Sequence, residues 1–198
     1  MIRKRPNAGP LKYVLLVAFL IPCWAWAAQT TASPKQMHED AEGFRDFSEG
    51  VLKYVKVHNS VEARLRQVKR ADAPENIDAH QRELASGIRA ARSRARRGDV
   101  FTSDASEAIR HVILSVFQGT QAGAARATIQ QGEPLRHRVR RVNGTYVDTA
   151  PYTTVPPTLL MSLPPLPDIL AYRIVGRDLV LLDVTANLVV DFLPQAIP

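Results

Sequence analysis

The stretch from Tyr172 to Leu193, Tyr-Arg-Ile-Val-Gly-Arg-Asp-Leu-Val-Leu-Leu-Asp-Val-Thr-Ala-Asn-Leu-Val-Val-Asp-Phe-Leu, constrains the fold more than any other part of the chain. Its apolar runs are far shorter than the ~20 residues needed to span a bilayer as a helix. They are divided by Gly176-Arg177-Asp178 and Thr185-Ala186-Asn187, two triplets suited to tight turns. Apolar and β-branched runs between turn residues predict three antiparallel strands near 171–175, 179–184 and 188–193. With three-residue turns, Tyr172 faces Leu182, Ile174 faces Val180, and Val180 faces Phe192.

In that register every even-numbered side chain points one way. Tyr172, Ile174, Val180, Leu182, Val184, Leu188, Val190 and Phe192 then form an apolar face. Arg173, Val175, Leu179, Leu181, Asp183, Val189, Asp191 and Leu193 form the other, on which Arg173, Asp183 and Asp191 read as an ion-paired solvent surface. Side chains alternate along a strand, so slippage by one residue would carry the charges into the core. A meander of this size also needs a partner for its apolar face.

The upstream sequence offers helices for that purpose. From Met37 the apolar positions keep a heptad, with Phe44, Val51, His58 and Leu65 on one line and Phe47, Tyr54, Val61 and Val68 beside it. Phe44, Phe47, Val51, Tyr54, His58, Val61 and Leu65 are therefore the candidate helix–helix interface, a surface for self-association or for an envelope protein partner along the 37–70 helix. Ala71-Asp72-Ala73-Pro74 ends this helix, and Pro74-Glu75 opens a second one capped by Asp72. Ile77, Leu84, Ile88 and Ala91 lie along its apolar face, and Gly98-Asp99 closes it. The short connection favours an antiparallel hairpin. A third helix, capped by Ser103 and supported by Glu107, buries Ile109, Val112, Ile113, Val116 and Phe117. Gly119 to Gln131 continues as an Ala-rich, glycine-interrupted segment. Val139 to Val142 reads as an edge strand, and 156–163 as a short apolar cover.

Composition bears on destination. Arg3, Lys4, Arg5 and Lys12 precede an apolar run from Tyr13 to Trp24, and Ala25-Trp26-Ala27 supplies small residues where a signal peptidase reads. This predicts a secretory signal peptide cleaved after Ala27, then a mobile leader through residue 36. A retained anchor is the alternative, weakened by Pro22; a lipoprotein at Cys23 is disfavoured by the preceding proline. Four of the 26 basic residues and none of the 19 acids lie in residues 1–27, so cleavage lowers the net charge from +7 to +3. Cys23, the sole cysteine, would leave too, and with it any disulfide, thiolate nucleophile or cysteine metal ligand.

The remaining charge is uneven. Residues 28–142 hold 20 of the basic residues, whereas 143–198 hold only Arg173 and Arg177 against five aspartates. Arg82, Arg89, Arg92 and Arg96 recur at helical spacing with Arg94 and Arg97 beside them, and Arg138, Arg140 and Arg141 form a second cluster. Such stripes can contact polyanions. An exported chain would meet anionic envelope polymer or lipid headgroups before nucleic acid, which is not an expected partner. The competing reading is a solvated helix face with Glu75 and Glu83 as local partners.

Catalytic and cofactor signatures are absent. There is no Gly-x-Ser-x-Gly elbow, no Ser-x-x-Lys motif and no glycine-rich phosphate loop. His38, His58, His80, His111 and His137 are too dispersed for a local zinc motif. The five aspartates Asp148, Asp168, Asp178, Asp183 and Asp191 match no cation-binding loop. No catalytic residue, metal ligand or cofactor follows from the sequence.

Leu163-Pro-Pro-Leu-Pro with the Tyr172–Val184 and Leu188–Leu193 segments resembles the C-terminal part of an uncharacterised family of exported bacterial proteins. The likeness extends through Glu133-Pro134, Arg141-Val-Asn-Gly and Val155-Pro-Pro. The last 30 residues are also similar to the small β domain of periplasmic nickel and cobalt homeostasis proteins. These resemblances imply localisation and fold and supply no catalytic residues.

The sequence therefore predicts an α+β protein: an N-terminal helical hairpin plus a third helix over 37–132, a proline-rich connection over 133–170 and a small antiparallel β meander over 171–198. Pro151, Pro156, Pro157, Pro164, Pro165 and Pro167 punctuate the connection. Its expected role is a non-enzymatic, exported, periplasmic binding or accessory protein of the cell envelope. A metal-stress accessory role and a hydrolase acting on envelope polymer are the alternatives.

Overall fold

The computed structural model describes residues 33–68, 77–130, 141–146 and 155–198. The expected signal segment, most of the expected leader, the expected opening of the second helix, and Arg138 and Arg140 lie outside the described residues. The chain is α+β, as the sequence predicts. Helices α1 (Pro34–Val68), α2 (Ile77–Ala91), α3 (Ser103–Gln118), α4 (Ala122–Gln130) and α5 (Pro157–Ser162) precede strands β1 (Leu170–Val175), β2 (Asp178–Asp183) and β3 (Leu188–Leu193). The strands form one antiparallel sheet in the order β1-β2-β3.

Helix α1 is the centre of the assembly because its apolar stripe is wide enough to serve three neighbours at once. Phe47, Val51, Tyr54, His58 and Val61 are buried, and Phe44 and Leu65 are half-buried against the same core. The Phe47 ring lies 5.4 Å from Phe101 and 6.1 Å from Tyr172 of β1. The expected helix–helix interface is thus filled by α2, α3 and the sheet of the same chain. Helices α1 and α2 run antiparallel: Glu62 meets His80, Val61 meets Gly87, and Arg92 lies over Tyr54. A Cβ at Gly87 would come within 2.4 Å of Val61 Cγ1, so the glycine sets the separation of the two helices.

Several element details differ from the sequence reading. Leu84, Ala85 and Ile88 are the buried positions of α2, while Ile77 and Ala91 are exposed and the helix ends before Arg92. Thr102 caps α3 in place of Ser103; its hydroxyl accepts from the Ala105 N–H at 3.2 Å. The Ala-rich continuation is the separate helix α4. A segment at 143–146 lies beside β3 through Thr145, which bridges to Leu188; of the expected edge strand at 139–142 only Arg141 and Val142 are among the described residues, and Val142 is part of a turn. Asn143 N–H donates to Val189 O at 2.8 Å, and Val189 N–H donates to Gly144 O at 2.9 Å.

The largest correction concerns register. The β1–β2 turn holds two residues, not three, with Gly176 at φ 62°, a positive value that glycine accepts without cost at the first position of a two-residue hairpin. Tyr172 therefore pairs with Leu181 and Ile174 with Leu179. Val180 does pair with Phe192, but a bulge shifts the register past Leu181, so Leu182 pairs with Val189. The even-numbered face is dissolved. Tyr172, Ile174, Leu179, Leu181, Leu188, Val190 and Leu193 join the main core with the helices, while Val175, Val180, Leu182, Val189 and Phe192 join Val142 and Tyr146 in a second apolar cluster. The one-residue slip puts the charges inside, and Asp183 and Asp191 are both fully buried.

Candidate functional site

A buried carboxylate is tolerable only when its lone pairs are occupied. Asp183, the last residue of β2, achieves this with donors from two directions. Its Oδ1 accepts the N–H groups of Thr185 at 2.9 Å and Ala186 at 2.8 Å, both in the turn that follows the strand. Its Oδ2 accepts the Tyr54 hydroxyl at 2.6 Å and His58 Nδ1 at 2.7 Å. Facing an oxygen that can only accept, Nδ1 carries the proton. Tyr54 and His58 sit one helical turn apart on α1, which is why both reach one oxygen. Burial first, and then the Asp183 charge, push the Tyr54 hydroxyl far above the usual phenol range, so it remains a donor.

Asp191, in the middle of β3, is satisfied by main chain alone. Its carboxylate accepts from Gly98 N–H at 3.1 Å, Val100 and Phe101 N–H at 2.9 Å, and its neighbour Phe192 N–H at 2.8 Å. The loop between α2 and α3 thus wraps the carboxylate, and Gly98 at φ 94° supplies the bend that aims successive amides inward. The expected pairing of Asp183 and Asp191 with Arg173 on a solvent face is overturned: Arg173 Nη1 donates to the main-chain oxygen of Tyr172 at 3.0 Å.

Arg92 connects the two sites. Its guanidinium lies 4.8 Å from the Tyr54 ring centroid, donates to Asn143 Oδ1 at 3.0 Å and reaches Val190 O at 3.3 Å. Burial lowers its pKa from the usual arginine value, an effect that the charges of Asp99 and Asp191 oppose. Arg89 donates to Asn143 O at 3.0 Å and to Thr145 Oγ1 at 2.6 Å. Two members of the expected polyanion stripe are therefore structural clamps that fasten segment 141–146 to α2. Arg110, Arg126 and Arg177 act similarly, donating to the carbonyls of Pro194 and Gln195, Phe117, and Ile197.

Other arginines remain exposed. Arg94, Arg96, Arg97 and Arg141 are exposed, and no carboxylate pairs with any of them among the described residues. Ala95, within the same loop as Arg94, Arg96 and Arg97, packs against the second apolar cluster, of which Val142 and Phe192 are members, and the Arg97 guanidinium lies 5.9 Å from the Phe192 ring. The loop acid Asp99 accepts the main-chain N–H of Arg96 at 3.0 Å. Arg82 is exposed on α2, also without a carboxylate partner among the described residues.

Two surface grooves lie apart from the buried carboxylates. One of about 250 Å³ between α1 and α3 is lined by Glu39, Asp40, Glu42, Asp104 and Glu107, with His111 Nδ1 2.7 Å from Asp40 Oδ2. The other, of about 430 Å³, lies between α3, the following turn at 119–121 and α5, and is lined by Val116, Thr120, Thr158 and Met161. Among the described residues, no three His, Asp or Glu side chains converge as metal ligands, and no helix is long and apolar enough to cross a membrane.

Sequence reasoning missed the roles of Asp183 and Asp191. The available signal was an aspartate inside each of two apolar strands, Leu-Val-Leu-Leu-Asp and Leu-Val-Val-Asp, together with Tyr54 and His58 at core positions of the heptad. Compared with known proteins, the chain matches no family model, no curated protein and no solved structure.

Proposed function

We propose that this chain is a non-enzymatic, exported binding or accessory module of the cell envelope. It contacts anionic groups, such as those of phospholipid headgroups or envelope polymers, through Arg94, Arg96, Arg97 and Arg141. The supporting observation is that these four arginines are exposed without a carboxylate ion-pair partner among the described residues, three of them within the α2–α3 loop and Arg97 beside the Phe192 ring, while Arg89 and Arg92 are engaged internally. Guanidinium groups suit phosphate because their planar donors match two oxygens at once. The heptad stripe takes no part in this reading, because its residues lie in the chain's own core.

The test is cosedimentation with phosphatidylglycerol vesicles, beside titration with soluble polyphosphate, across a salt series. Binding should weaken as salt rises, with the logarithmic slope falling by about one for each arginine removed. Arg94→Glu/Arg96→Glu/Arg97→Glu should abolish binding while leaving the circular dichroism spectrum unchanged. An unaltered affinity in that folded variant, or no binding by the native chain to either anion at low salt, would refute the proposal.

A further inference from the structure

We propose that Asn143–Gly144 is a site of spontaneous deamidation that Arg92 holds closed in the folded chain. The turn itself dictates the reactive pair. Gly144 N–H closes a four-residue turn onto Arg141 O at 3.2 Å, and Asn143, at the third position, takes φ 60°. Asparagine is among the few side-chain-bearing residues that accept this region readily. A Cβ at position 144 would sit 2.9 Å from Arg141 O, so glycine is the residue that fits without displacement. Lacking a side chain, Gly144 also places no β-carbon beside its amide nitrogen, the atom that attacks the Asn143 carboxamide.

In the reaction, Gly144 N loses its proton to solvent base and bonds to Asn143 Cγ. The Cγ–Nδ2 bond breaks, and ammonia leaves with a proton from water. Water then opens the five-membered imide at either carbonyl, giving aspartate or isoaspartate. The net change is one water consumed and one ammonia released, with no oxidant or reductant.

The folded chain restrains every atom involved. Asn143 Nδ2 donates to Arg92 O at 2.8 Å, and Oδ1 accepts from Arg92 Nη1 at 3.0 Å, so the carboxamide is held at both ends by one residue. Asn143 N–H is fixed on Val189 O, and Gly144 O on Val189 N–H. Rotation of the carboxamide toward Gly144 N requires breaking the Arg92 contacts. Once formed, isoaspartate inserts a methylene into the main chain between the two bonds to Val189, which releases the segment from the β3 edge. Asn187 shares the positive φ, at 50°, but is followed by Leu188, and it serves as an internal control.

The experiment follows the Asn143 peptide by mass spectrometry during incubation of the full chain in mildly alkaline buffer, with and without denaturing urea. Isoaspartate should form readily in the unfolded chain and roughly tenfold or more slowly in the folded one, because reaction then waits on local opening. Folded Arg92→Met should move several-fold toward the unfolded rate, while Asn187 stays unreacted. Equal rates in folded and unfolded native chain, no reaction in the unfolded chain, or a folded Arg92→Met reacting no faster than native would each overturn the proposal. Should Arg92→Met fail to fold, Arg92→Lys takes its place; it preserves the main-chain acceptor and weakens the side-chain clamp, and an unchanged rate there would overturn the gating role.

Discussion

Asp183 and Asp191 are the same residue type, on adjacent strands of one sheet and equally withdrawn from water, yet they are satisfied in opposite ways. Asp183 takes half of its hydrogen bonds from the Tyr54 and His58 side chains of α1. Asp191 takes all of its bonds from main-chain N–H groups, mostly of the α2–α3 loop. The first arrangement records a long-range pairing in residue identities on both partners, 129 and 125 positions apart. The second records it only in the aspartate and in the shape of a loop bent by Gly98. A carboxylate that organises main chain is thus less visible in sequence and harder to replace, because no compensating side chain exists to be changed with it.

The strongest challenge to this contrast is removal of each carboxylate. Asp191→Ala strands four main-chain donors in an apolar interior, and unfolding in urea should reveal a loss of about 4 kcal/mol. Asp183→Asn keeps one acceptor oxygen but turns an amide toward the donors of Tyr54 and His58 or of the turn; the expected loss is about 3 kcal/mol. Should Asp183→Asn prove the more damaging, the main-chain site would not be the stronger of the two.

Smaller effects sharpen the comparison. Tyr54→Phe deletes one hydrogen bond to a charged acceptor without opening a cavity, and should cost about 1.5 kcal/mol. Because Tyr54 and His58 share Asp183 Oδ2, combining Tyr54→Phe with His58→Phe should give a non-additive result by double-mutant cycle, with a coupling of about 0.5 kcal/mol or more. Strict additivity would mean that the two donors act independently. No comparable cycle can be built around Asp191, whose donors persist under side-chain substitution.

The smallest effect should appear in acid. Burial would raise the Glu62 carboxyl, but the Arg66 hydrogen bond and the charges of His80 and Arg66 outweigh it and hold the group below its ordinary value. A carboxyl lowered on folding stabilises the native state above its unfolded pKa, and that contribution is lost as the pH falls through the folded pKa. The stability difference between the native chain and Glu62→Gln should therefore shrink as the pH falls through the carboxylate range, by urea midpoints measured across pH. High salt should reduce it further, since Arg66 faces solvent.

Much of the fold was legible because helical and strand periods are local properties. The stripe Phe47, Val51, Tyr54, Val61 marks the buried side of α1, and alternation within apolar runs marks three strands whose bounds the structure shifts by a residue or so. The arginine stripe was legible as charge but not as role. Helical spacing places Arg89 and Arg92 on the same face, yet it cannot report that Asn143 and Thr145 meet them there.

What the sequence determined by itself is the class of the fold, the order of its elements, and the need for the meander to lie against helices. Those follow from periodicity, turn residues and the cost of exposing apolar surface. Only the tertiary structure decided which side of the sheet faces inward. That choice hinged on a two-residue turn at Gly176-Arg177 and a bulge after Leu181, each a shift of one residue. Its energetic cost, two carboxylates placed in the core, is offset by donors that lie far away in the chain and converge only when α1 and the α2–α3 loop close over the strands.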